Sequence, residues 1–202
     1  MNFLAHIYLS GANTDIQLGN FLGDFVRGNI DHHRNDFLNP TMKIGAKLHR
    51  VIDSFTDAHP VVRQSIDRLQ PRYHKFAGII VDVFYDHFLA KNWVMYSPDV
   101  SLSAFSQQFY GHLLLVKPQL PSTFDRLIES ITKHDWLTNY AHLEGIGWSL
   151  KGIARRAEFI SGMEYALEEL QKDFDLYESE FSLFFTDIQQ VCQTFLKDNL
   201  II

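Results

Sequence analysis

Seven residues of this chain have the types and the spacing to hold a cation: Asp24, His49, Asp53, Asp57, Asp82, Asp86 and His87. They lie in three apolar stretches, GNFLGDFVRG, KLHRVIDSFTDAHP and IIVDVFYDHFLA. His49, Asp53 and Asp57 recur at i, i+4 and i+8, and Asp82 and Asp86 at i, i+4. Side chains four apart share one face of a helix, with Cβ atoms roughly 5–6 Å apart. Asp82 stands among Ile79, Ile80, Val81, Val83 and Phe84, where water is not expected to solvate its charge. A buried carboxylate must be paired, hydrogen-bonded or bound to a cation. Several of them beside imidazoles point to a metal site.

Each residue alone also admits a structural role. Asp53 and Asp57 could form a solvated helix face, and Asp82 could pair with a core Arg. Asp24 could pair with Arg27, and His6 or His87 could be a hydrogen-bonded core histidine. Three acid-bearing apolar helices together favour the metal.

Asp oxygens mixed with His nitrogens suit Mn²⁺, Fe²⁺ or Mg²⁺ better than a sulfur-preferring ion. A di-iron carboxylate bundle would carry Glu-x-x-His, which these segments lack. The pattern is closer to phosphoester hydrolysis, in which cations activate water and neutralise phosphoryl oxygens. Arg27, Arg50, Arg155 and Arg156 are candidate bidentate donors to a phosphate. There is no Walker-type loop and no GxSxG elbow.

The elements that must position these residues read as helices. Segments 14–28, 41–57, 61–69, 73–92, 101–116, 121–133, 142–161 and 163–197 place apolar residues three and four apart. Gly28, His59-Pro60, Gln70-Pro71, Ser97-Pro98, Pro118 and Pro121 punctuate them. Asp99 or Ser101 is a candidate cap for one helix and Ser122 for another, and a break near Tyr177 would divide the last. Strand-type alternation is scarce. The expectation is an all-α single-domain bundle over residues 1–202.

Composition sets the outer limits. Apolar residues make up 46% and aromatic residues 14% of the 202, enough for a filled core. The single Cys192 rules out an intramolecular disulfide and a thiolate zinc cluster. The opening MNFLAHIYLSG lacks a basic n-region, and no run reaches the roughly 18 apolar residues of a membrane span. These features imply a cytoplasmic protein without a membrane partner. The net charge of −6 is matched by residues 164–180 alone, which hold seven acids and one Lys. The remainder is about neutral, which leaves an anionic partner open but argues against nucleic acid, whose binders are usually basic.

The stretches MNFLAHIYLS, GNFLGDFVRGN, LHRVIDSFTDAHP and AGIIVDVFYDHFLAKNW resemble the acyl carrier protein phosphodiesterase family. The likeness continues through SPD at 97–99, WLTNY at 136–140 and GIARR at 152–156, in order along nearly the whole chain. It implies an all-helical, HD-phosphohydrolase-like fold and Mn²⁺-dependent release of 4′-phosphopantetheine from holo-acyl carrier protein. The implied metal ligands are Asp24, His49, Asp53 and Asp82. His6, Arg27, Arg50, Asp57, Asp86 and His87 are implied as catalytic residues. The adjacent His-Asp pair of ordinary HD enzymes occurs here only reversed, as Asp86-His87. The implied partner is an acidic carrier protein, for which Arg27, Lys43, Lys47 and Arg50 offer a basic rim, with Lys151, Arg155 and Arg156 next. Two other readings stay open: hydrolysis of a small phosphoester or nucleotide, and a non-catalytic helical binding module.

Overall fold

Helix starts along this chain are written by Asn and Pro. In the computed structural model, which describes residues 1–157 and 159–199, Asn2 caps α1 (Phe3–Leu9) and Asn13 caps α2 (Thr14–Phe21). Asn39 accepts from the Met42 amide, and Pro40 opens α3 (Pro40–Ala58) where a missing N–H costs nothing. Next come α4 (Pro60–Tyr73), α5 (Ala77–Lys91), the short α6 (Trp93–Tyr96) and α7 (Leu102–Val116), the last capped by Ser101. They are followed by α8 (Asp125–Lys133), α9 (Trp136–Asn139) and α10 (Leu143–Ala154), then α11 (Leu167–Lys172) and α12 (Phe174–Asn199). No strand occurs among the described residues, so the all-α class expected from the periodicity is the class observed.

Burial organises the bundle around α5. From Ile80 to Ala90 only Asp82 is not buried, so this stretch is enclosed by the fold on all sides. Helices α1, α4, α10 and α12 pack around it and share one contiguous core. α12 is held to α4 by a buried network in which Arg68 grips Glu180 with both guanidinium nitrogens while Ser65 donates to the same carboxylate. Cys192 lies in that core, where burial pushes its thiol up to about 12 and leaves it unreactive at neutral pH.

Several boundaries differ from the periodicity. The apolar pattern over 14–28 is not one helix: α2 ends at Phe21 and a 3-10 turn, Gly23–Phe25, follows. Gly28 then adopts φ +70°, a left-handed conformation open to glycine at little cost. The pattern expected to run to 161 ends at Ala154, and Glu158 within it lies outside the described residues. The final apolar stripe breaks at Asp173, not near Tyr177. Ser122 makes no capping bond. The seven-residue α1 has no counterpart among the expected helices because it is too short to show a period.

Candidate metal centre

Two glycines let α2 and α3 touch backbone to backbone. A Cβ on Gly19 would sit 1.9 Å from the Met42 carbonyl oxygen, and one on Gly45 would sit 2.1 Å from that of Ile16. A third, Gly23, faces the ring of His49, which a Cβ would meet at 2.3 Å. This close approach brings α1, the end of α2, the turn after it and the middle of α3 to one point.

Four side chains converge there. His49 Nε2 lies 3.3 Å from Asp24 Oδ1 and 3.2 Å from Asp53 Oδ2, and His6 Nε2 lies 3.3 Å from Asp53 Oδ1. The two imidazoles stack with centroids 4.2 Å apart. One donor atom each from His6, His49 and Asp53 falls within 4.8 Å of the others, a spacing that suits a shared ion. The histidines are buried, whereas the two carboxylates reach the surface.

Behind them stands Asn20, fully buried. Its Nδ2 donates to the His6 carbonyl at 2.9 Å and to Ser10 Oγ at 2.8 Å, which orients the amide. Its Oδ1 therefore faces both imidazoles and accepts from His6 Nδ1 at 2.8 Å and His49 Nδ1 at 3.2 Å. His49 Nδ1 also reaches the Asn20 carbonyl at 2.9 Å. Oxygens accept, so both Nδ1 atoms carry protons and both Nε2 atoms point at carboxylates. A neutral Nε2 would set a lone pair against an anion. Either a proton or a cation must lie between them, and two stacked imidazoliums repel. A divalent ion would satisfy His6, His49 and Asp53 at once, with Asp24 3.3 Å from His49 at the edge of the group, and a histidine oriented through its other nitrogen is the usual arrangement at metal sites.

With no cation between them, a proton on His49 takes that place. Burial works against charge on His49, yet the bonds from Asp24 and Asp53 outweigh it and carry the imidazole up to about 9. For His6 burial prevails, helped by the charge of His49, and its value falls below the ordinary one. Burial would raise Asp24 and Asp53, but the imidazoles bonded to them hold both below the usual carboxylate range.

The remaining expected site residues lie elsewhere. Asp82, expected as the fourth ligand, instead takes the Met1 amine at 2.7 Å, and His6 stands in the group in its place. Asp86 is buried and accepts from the amides of Asn2, Leu4 and Ala5 at 3.2, 2.8 and 3.2 Å, so it anchors the start of α1. His87 donates from Nδ1 to the Tyr140 carbonyl at 2.7 Å and packs on Phe88 and Phe174, the geometry of a core histidine. Asp57 is exposed one turn beyond Asp53, outside the group. Arg27 is exposed, and Arg50 bonds the Val26 and Gly28 carbonyls, bracing the loop after Asp24. Lys43 and Lys47 face Asp36 at 3.7 Å and Asp31 at 3.4 Å, which offsets the basic rim expected of them. Asn20 was not legible, because an amide in a short apolar helix signals nothing until its neighbours are placed.

Beside the group opens a cleft of about 600 Å³ that includes Asp24, Arg155 and Arg156 in its walls. The sequence alone could not connect these arginines with Asp24. Among the described residues no helix is long and apolar enough to cross a membrane.

No solved structure matches the chain. The family model described as acyl carrier protein phosphodiesterase matches residues 1–188. Among similar curated proteins, the acyl carrier protein phosphodiesterase of Serratia proteamaculans is 34% identical over 94% of this chain and 96% of its own. Its namesake from Yersinia enterocolitica is 32% identical over 96% and 98%, and that from an Enterobacter species 32% over 92% and 94%. At that extent and identity, the chain belongs to the acyl carrier protein phosphodiesterase family.

Proposed function

We propose that this protein hydrolyses the phosphodiester between a carrier-protein Ser and 4′-phosphopantetheine, in the cytoplasm, with a divalent cation held by His6, Asp24, His49 and Asp53. The observation that carries the reading is the pair of imidazoles whose Nδ1 protons are both committed to Asn20. That commitment leaves both Nε2 atoms facing carboxylates beside a cleft with two arginines. Two nitrogens and two carboxylates favour Mn²⁺ or Fe²⁺ over Mg²⁺, which prefers oxygen ligands, and we take Mn²⁺ as the working ion. When bound, such an ion supplies Lewis acidity toward water and the phosphoryl oxygens.

The chain's own residues do the rest. Asp24 and Asp53, both below the usual carboxylate range and so anionic at neutral pH, would supply negative charge to the ion. Arg155 and Arg156 present guanidinium donors to the non-bridging oxygens as charge builds there. Water adds its oxygen to phosphorus, the bond from phosphorus to the Ser oxygen breaks, and a proton returns to that oxygen. The products are the carrier with a free Ser and 4′-phosphopantetheine as a monoester. The decisive experiment is mass spectrometry of holo-carrier protein incubated with this protein and Mn²⁺, read for loss of the prosthetic arm. An intact arm under every divalent ion, or less than one ion bound per chain, would overturn the proposal.

A further inference from the structure

The substrate of such a reaction has two substituents on phosphorus, a folded domain and a flexible chain, and they need different surfaces. A domain requires an interface of roughly 800 Å² per partner. A chain requires a slot, and small-molecule sites are typically about 300–1,000 Å³. The cleft beside Asp24, at about 600 Å³, has the size for the chain.

Its chemistry is of the same kind. Phe3, Phe25, Trp136 and Trp148 line it, with Phe25 44% and Trp148 64% exposed. Two large aromatics left open on one cleft form the apolar surface that a gem-dimethyl group and methylenes would cover. Asn139 and Ser149 also line the cleft and offer partners for amides. Asn139 spends its Nδ2 on the His134 carbonyl and retains its Oδ1. Arg155 and Arg156 line the same cleft, in keeping with a phosphate at one end.

A glycine gives a second, independent indication. Gly145 and Gly152 both lie in α10 and both line the cleft. Gly145 is required by packing, because a Cβ there would meet the Asn139 carbonyl at 2.0 Å. Gly152 has no such reason: its φ is not positive and a Cβ would find nothing within 4 Å. A glycine inside a helix costs roughly 0.5–1 kcal/mol relative to Ala. Here it leaves space in the wall of the cleft.

We infer that the cleft receives the 4′-phosphopantetheine chain, with Trp148 and Phe25 against its apolar carbons and the open side of Gly152 accommodating its path. The assignment rests on the phosphodiesterase reading above and extends it to the part of the substrate that does not react. The phosphate stays with the chain when the Ser departs, so the free chain is both product and inhibitor.

The test uses pantetheine, the chain without its phosphate, as a calorimetric ligand for chelator-treated protein, alongside hydrolysis of holo-carrier protein. Gly152→Phe fills the cleft from a position with room for the new Cβ. It should weaken pantetheine binding at least tenfold and raise KM for holo-carrier protein by a similar factor, with circular dichroism and Tm near those of the parent. Trp148→Ala, a change at an exposed side chain, should weaken both several-fold and serves if Gly152→Phe fails to fold. Parental pantetheine binding in the folded variants, or none by the parent protein, overturns the inference. Arm release with unchanged KM in both variants sinks the cleft assignment and leaves the hydrolase reading standing. Pantetheine binding that is lost in Gly152→Phe, in a protein that releases no arm, does the reverse.

Discussion

Asn20→Ala isolates the role of a side chain that touches neither substrate nor ion. It removes four hydrogen bonds: from His6 Nδ1, from the longer of the two His49 contacts, and to the His6 carbonyl and Ser10 Oγ. His49 keeps its bond to the Asn20 backbone carbonyl, and Ser10 still donates to the His6 carbonyl at 2.8 Å. His6 Nδ1 alone is left without a partner in a buried place. Net bonds of roughly 1 kcal/mol each, with one orphaned donor, sum to about 2–4 kcal/mol of lost stability. For a chain of this size that lowers Tm by roughly 5–15 °C. Loss of a histidine's orienting partner typically costs about 10–100-fold in metal affinity. Mn²⁺ titration followed by electron paramagnetic resonance of the free ion, at a temperature where the variant is folded, reads that loss directly. Asn20→Asp keeps an acceptor for both imidazoles and should bind Mn²⁺ more tightly than Asn20→Ala. Undiminished Mn²⁺ affinity in a folded Asn20→Ala would refute the orienting role and the tautomer argument with it.

Other outcomes follow from the same geometry. Gly23→Ala sets a Cβ against the His49 ring and should lower Mn²⁺ affinity at least tenfold, checked by the same titration. Asp86 is pushed up to about 7 by burial, against the opposing Met1 amine and the Leu4 and Ala5 amides. A raised folded value makes its contribution full below the ordinary carboxylate value of 3.8 and progressively lost as pH rises to about 7, on the order of a few kcal/mol. Urea midpoints of the metal-free protein should show that decline, and Asp86→Asn should flatten it while leaving the Leu4 amide poorly bonded and costing about 1–3 kcal/mol at low pH. Lys43→Glu with Lys47→Glu should change KM for holo-carrier protein less than Lys151→Glu alone, because the first pair already faces Asp36 and Asp31. The larger effect should shrink as salt screens it, which initial rates at two ionic strengths would measure.

The local sequence determined what depends on local spacing. His49 and Asp53, four apart on a long amphipathic helix, had to share a face, and the observed contact of 3.2 Å is that geometry. The all-helical class was legible for the same reason, since a period of three to four residues is a property of neighbours along the chain. Composition and motif order also carried the family. Tertiary structure alone decided which of the separated acids meet. Asp82 and Asp86 repeat the i, i+4 spacing as clearly as His49 and Asp53, yet α5 turns them toward the amine and amides that open α1. The charge that looked as if it required a cation there is met by the chain's own N–H groups. His6 and Asn20 gave no periodic signal, because each acts from a short helix through contacts with other segments. Their role arises from the close approach of α2 and α3, which Gly19 and Gly45 permit by having no side chain. A glycine records the absence of a Cβ in the sequence, and only the packed structure shows what occupies that space.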